Sequence, residues 1–106
     1  MLDKLQAVEN RYLELGDMTT RPDFYNDPKR AARLLKEQRE LEPVVTAYRR
    51  YRRELQNVDG LLEMLSEPQE AEMRALCQEE LNAAKAHLPE LEQQLSNLGA
   101  DNFSTA

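Results

Sequence analysis

The chain has 106 residues and a formal net charge of −6, with no tryptophan and only three glycines. Its mean hydropathy is −0.77. These values suit a single water-facing domain, argue against a β-sheet, and leave no run near the ~20 apolar residues of a membrane span.

The first predicted element is a helix over about residues 2–17, where Leu5, Val8, Tyr12 and Leu15 step by three, four and three. Gly16 is expected to supply its left-handed C-terminal residue. Residues 18–26 read as a connector broken by Pro22, with Phe24 and Tyr25 as anchors onto the helices. Asp27-Pro28 then reads as a strong helix start. Asp27 can cap free N–H groups, and proline at the first helical position loses no hydrogen bond.

From there the pattern is sevenfold. One ladder runs Leu34, Leu41, Tyr48, Leu55, Leu62, and a companion runs Glu37, Val44, Tyr51, Val58, Leu65. Such spacing gathers apolar groups on one stripe of a helix, which must be buried against another helix. The register passes through Pro43, which sits on the outer face and predicts a bend, not a boundary. Ser66–Gln69 is the predicted turn, with Ser66 or Glu67 as cap and Pro68 near the first turn. A second ladder follows: Cys77, Leu81, Ala84, Leu88, Leu91, Leu95, Leu98. Pro89 again lies outward, and Gly99 is expected to end this helix. A turn this short makes the two long helices antiparallel neighbours. The expected fold is therefore all-α: a long antiparallel, coiled-coil-like hairpin of residues 28–65 and 69–98. A shorter N-terminal helix packs on it. Residues 1–98 form the helical domain and 99–106 a flexible tail.

Charge is spread unevenly. Residues 28–53 carry nine bases against three acids, and residues 59–106 carry ten acids against two bases. The sharpest local feature is Tyr48-Arg49-Arg50-Tyr51-Arg52-Arg53. The tyrosines are seam positions whose phenol ends reach the rim. Arg49, Arg50 and Arg53 project outward and Arg52 flanks the seam. They read either as a solvated face paired with acids of the last helix, or as a docking patch for RNA phosphate or an acidic protein.

Little else points to chemistry. The single cysteine, Cys77, falls on the apolar ladder and reads as a small core residue. The single histidine, His87, reads as a solvated rim residue without catalytic partners. There is no glycine-rich phosphate loop, no Cys/His metal cluster and no Ser/His/Asp set. No catalytic residue, metal ligand or cofactor-binding residue is expected, and the chain reads as a non-enzyme. The N-terminus runs straight into the amphipathic pattern without a signal-peptide core, so a cytoplasmic location is the expectation.

Three stretches, taken in order and spacing, carry a family resemblance. They are Met1-Leu2-Asp3-Lys4-Leu5-Gln6-Ala7-Val8-Glu9-Asn10-Arg11-Tyr12, then Asn26-Asp27-Pro28-Lys29 with Lys36-Glu37-Gln38, then Glu72-Met73-Arg74 with Glu79-Glu80-Leu81 and Leu91-Glu92-Gln93-Gln94-Leu95. Together they resemble the N-terminal domain of bacterial class I peptide chain release factors, the type 1 branch in particular. The resemblance implies a helical bundle and a role in translation termination. In that family a Gly-Gly-Gln loop and a separate codon-reading motif do the chemistry and the recognition. Neither motif occurs here, so no catalytic residue carries over. The implied partners are the ribosome near its stalk base, the GTPase release factor and the glutamine methyltransferase. Family members continue past the equivalent of Leu98 into an apolar, proline-containing linker, whereas this chain reads Gly99-Ala100-Asp101-Asn102-Phe103-Ser104-Thr105-Ala106. That departure fits a domain cut from a longer factor or a relative with an altered tail. The competing expectation is a stand-alone structural coiled-coil adaptor with no ribosomal role.

Overall fold

The computed structural model describes residues 2–99. Among them are three α-helices, α1 (Leu2–Thr19), α2 (Pro28–Leu65) and α3 (Ala71–Asn97), and a 3-10 turn at Phe24–Asn26. The fold is all-α, a helical hairpin with an added N-terminal helix, as the two ladders require. The tail expectation falls, apart from Gly99, outside the described residues. The chain divides into two compact units: residues up to Tyr48 together with Leu95 and those after it, and Arg49–Gln94.

In the first unit Leu5, Val8 and Leu15 of α1 are buried, with Tyr12 half-buried beside them. Helix α1 runs through Gly16, contrary to the expected left-handed stop. It closes instead through hydroxyls: Thr19 Oγ1 donates to the Gly16 carbonyl and Thr20 Oγ1 to that of Asp17, both at 2.7 Å. These bonds satisfy carbonyls that a helix end leaves without partners. Of the two connector aromatics only Phe24 is an anchor, at 3% exposure. Tyr25 is 62% exposed and meets Phe24 edge-on, ring centroids 4.8 Å apart.

Asp27-Pro28 starts α2 as expected, with Asp27 Oδ1 accepting the Arg30 N–H at 3.2 Å. Side-chain links tie α1 to α2. Arg11 forks onto Glu37, Nε to Oε2 at 2.7 Å and Nη2 to Oε1 at 2.9 Å. Tyr48 donates its phenol to Gln6 Oε1 at 2.9 Å. Glu37, the charged member of an otherwise apolar ladder, therefore takes a cation where its neighbours take a core.

The second unit is the antiparallel hairpin. Its core is Val58, Leu61, Cys77, Leu81 and Ala84, with Leu65 and Leu88 packed against it. Full burial of a Val or Leu side chain contributes about 1.5–3 kcal/mol, so this short list dominates the local energetics. The companion ladder stays inward from Val44 to Leu65. The first ladder does not: Leu41 and Tyr48 are buried, Leu55 half-buried, Leu62 46% exposed, and Leu61 takes the inward place. A strict sevenfold repeat drifts by about 20° per heptad on a straight helix, and Leu62 has drifted out of the seam. Leu98, just past the end of α3, is 41% exposed. Both helices continue through their prolines, Pro43 and Pro89.

The turn is held differently from the expectation. Neither Ser66 nor Glu67 caps α3, which begins at Ala71 with the Glu70 carbonyl accepting the Arg74 N–H at 3.0 Å. Arg74 reaches back across the turn and donates to the Leu65 and Glu67 carbonyls, each at 3.1 Å. Gln69 donates its amide to the Met64 carbonyl. Gln69, within the turn, and Arg74, beyond it, thus satisfy the Met64 and Leu65 carbonyls at the end of α2. Gly99 ends the α3 segment as expected, with a φ of 78°.

Candidate functional site

The Tyr–Arg segment lies mid-way along α2, where a spacing of three or four residues returns to one side. Tyr48 and Tyr51 are buried, and Arg49, Arg50 and Arg53 are exposed. The Tyr51 phenol donates to Glu92 Oε1 of α3 at 3.0 Å. Desolvation and that bond push its pKa up, so the phenol stays a donor and clamps the hairpin beneath the arginines.

Arg50 and Arg53 line an open groove of about 520 Å³ between α2 and α3. Glu54 and Asn57 complete the α2 wall, and His87, Leu91 and Gln94 form the α3 wall. Arg49 is exposed but does not line this groove. The structure thus brings two of the three expected patch residues together and leaves the third apart. Glu54, Asn57 and His87 also line an adjoining hollow of about 410 Å³ with Glu80, Ala83 and Ala84. The groove therefore passes from a cationic end towards an acidic one.

His87 has a partner that the sequence reading did not give it. Its Nδ1 lies 2.7 Å from Glu54 Oε2. Asn57 Nδ2 donates to the other oxygen, Glu54 Oε1, at 2.8 Å. The His87 bond, then the Asn57 bond, hold the Glu54 carboxyl below its usual range. The side chain is 18% exposed, so the carboxylate is fixed at the groove wall. No spacing in the sequence pairs these residues: a symmetric fold about Ser66–Gln69 sets position 54 opposite about position 81, and the Glu54–His87 contact depends on the register of α3 against α2.

Cys77 sits in the core, its Sγ 3.8 Å from Gln69 Oε1. Among the described residues no group of three His, Cys, Asp or Glu is placed to hold a metal ion. No described helix is long and apolar enough to cross a membrane. The groove surface carries two guanidinium groups, two carboxamides and one held carboxylate from α2 and α3.

The PCRF domain matches this sequence over residues 8–102. The chain belongs to the PCRF domain family. This PCRF domain is 40% identical over 98 residues to peptide chain release factor 1 of Agathobacter rectalis, spanning 92% of this chain and 27% of that protein. Against peptide chain release factor 1 of Streptococcus agalactiae the figures are 40% over 97 residues, 91% of this chain and 27% of the relative. For Clostridium tetani peptide chain release factor 1 they are 38% over 98 residues, 92% and 28%. The PCRF domain thus spans about a quarter of the length of the curated relatives it matches. No solved structure matches it.

Proposed function

We propose that this PCRF domain acts in translation termination as the non-catalytic, docking part of a peptide chain release factor. The observation that carries the reading is identity of about 40% to peptide chain release factor 1 along nine-tenths of the chain. The absence of a Gly-Gly-Gln sequence supports a docking role over a hydrolytic one. The surface supports it too: exposed Arg49, Arg50 and Arg53 stand on a helix clamped from behind by Tyr51 and Glu92. Arginine forks suit phosphate and carboxylate partners alike. The ribosome near its stalk base is the primary partner in this reading, with the GTPase release factor and the glutamine methyltransferase as protein partners.

The test is co-sedimentation of the chain with ribosomes across a salt series, beside a triple Arg49→Gln, Arg50→Gln, Arg53→Gln variant of unchanged melting temperature. Ribosome association by the parent, weakened in the variant, is the expected result. A parent that binds neither ribosomes nor either protein partner would leave only a structural adaptor. Added to a stop-codon ribosome complex, the chain is expected to release no formyl-methionine.

A further inference from the structure

We propose that the Arg50–Arg53 groove binds a ribose-phosphate backbone, with the arginines taking phosphate and Glu54 taking a ribose 2′-hydroxyl. The inference rests on the reading of the arginine face as a docking surface and names what it holds. Arg50 and Arg53 form no ion pair among the described residues, so their forks are open to an anion. An acidic peptide would satisfy them but would bring carboxylates against Glu54, which lines the same groove. RNA brings an anion too, but it sets a 2′-hydroxyl beside each phosphate, a donor that Glu54 can accept from. A carboxylate accepts up to about four hydrogen bonds, and Glu54 receives two, from His87 and Asn57. Those bonds fix its orientation and leave capacity for a hydroxyl. Gln94, on the facing wall, offers both a donor and an acceptor. The groove lining has no Phe, Tyr or Trp, and its one aromatic ring, the imidazole of His87, is engaged through Nδ1 by Glu54. Recognition would therefore follow backbone and 2′-hydroxyl, not base identity.

The experiment is fluorescence anisotropy of the chain with a labelled oligouridylate, its oligodeoxyuridylate counterpart and a polyglutamate peptide, over a range of salt. Oligouridylate is expected to bind several-fold more tightly than the deoxy form. Arg50→Gln with Arg53→Gln should weaken it at least tenfold and lower the logarithmic salt slope by roughly 0.7 per lost phosphate contact. Glu54→Met removes the acceptor and should bring the RNA-to-DNA ratio to about one, whereas Glu54→Gln, whose carbonyl still accepts, should keep most of it. Circular dichroism and melting temperature verify each variant's fold. Equal binding of both oligomers by the parent, an unchanged ratio in Glu54→Met, or polyglutamate binding as tight as RNA would overturn the proposal. So would the absence of oligouridylate binding. Ribosome association that persists without oligomer binding would leave the docking role standing and remove only this inference.

Discussion

Arg11 and Glu37 meet as a two-pronged fork, Nε to Oε2 at 2.7 Å and Nη2 to Oε1 at 2.9 Å, across the first two helices. The pair joins residues 26 positions apart in the chain, so it reports tertiary docking of α1 and not local helix formation. Both side chains are 36% exposed, which moderates its strength. Arg11→Ala is expected to cost about 1 kcal/mol, read as a lower melting temperature. The Arg11 bond holds the Glu37 carboxyl below its usual range. Its stabilising share is therefore complete above the unfolded carboxyl pKa, about 4.3, and is lost as pH falls through the lower folded value. Denaturation curves of the parent should weaken in that acid window more than those of Arg11→Ala. Parallel curves would show that the fork contributes nothing.

Leu61 and Leu62 are adjacent in sequence and opposite in burial, at 5% and 46% exposure. Leu61→Ala should cost about 2–4 kcal/mol, since it opens a cavity in the hairpin core. Leu62→Ala should stay within about 1 kcal/mol. Urea midpoints of the two variants measure the difference directly. Equal losses would mean that the strict sevenfold register holds to the end of α2.

Arg74 fastens the hairpin turn through the Leu65 and Glu67 carbonyls. Arg74→Ala leaves both to water at an exposed site, so the global cost should be about 0.5–1.5 kcal/mol. The local effect should be larger. Amide exchange at residues 64–70 is expected to quicken while that of Val58 and Leu81 changes only with global stability. Unchanged exchange at the turn would show that the backbone alone holds it.

Glu54 titrates below the ordinary carboxylate range because His87 and Asn57 bond to it. An NMR titration should place its midpoint below the usual glutamate range, and His87→Gln should raise it. The sign follows from a depressed folded value: the contribution is present above the unfolded pKa and lost as pH falls through the folded one. A Glu54 midpoint indifferent to His87 would mean that the 2.7 Å contact does not persist in solution.

Much of the fold follows from one-dimensional spacing. Two apolar ladders and a short polar turn admit few arrangements besides an antiparallel hairpin, and Asp27-Pro28 and Gly99 mark ends through their own backbone chemistry. The exposure of Arg49, Arg50 and Arg53 also follows from their places around Tyr48 and Tyr51 on the helix. What sequence could not decide depends on groups distant along the chain. Gly16 stays helical because threonine hydroxyls close the end further on. Tyr25 stays outside because Phe24 alone finds a buried place. Leu61 replaces Leu62 because an α-helix turns every 3.6 residues and not every 3.5. His87 gains Glu54, and Arg50 and Arg53 gain a groove, only when α3 lies against α2. Periodicity determines which face of each helix is buried, whereas rotation and register between packed helices determine which polar groups meet at its edge.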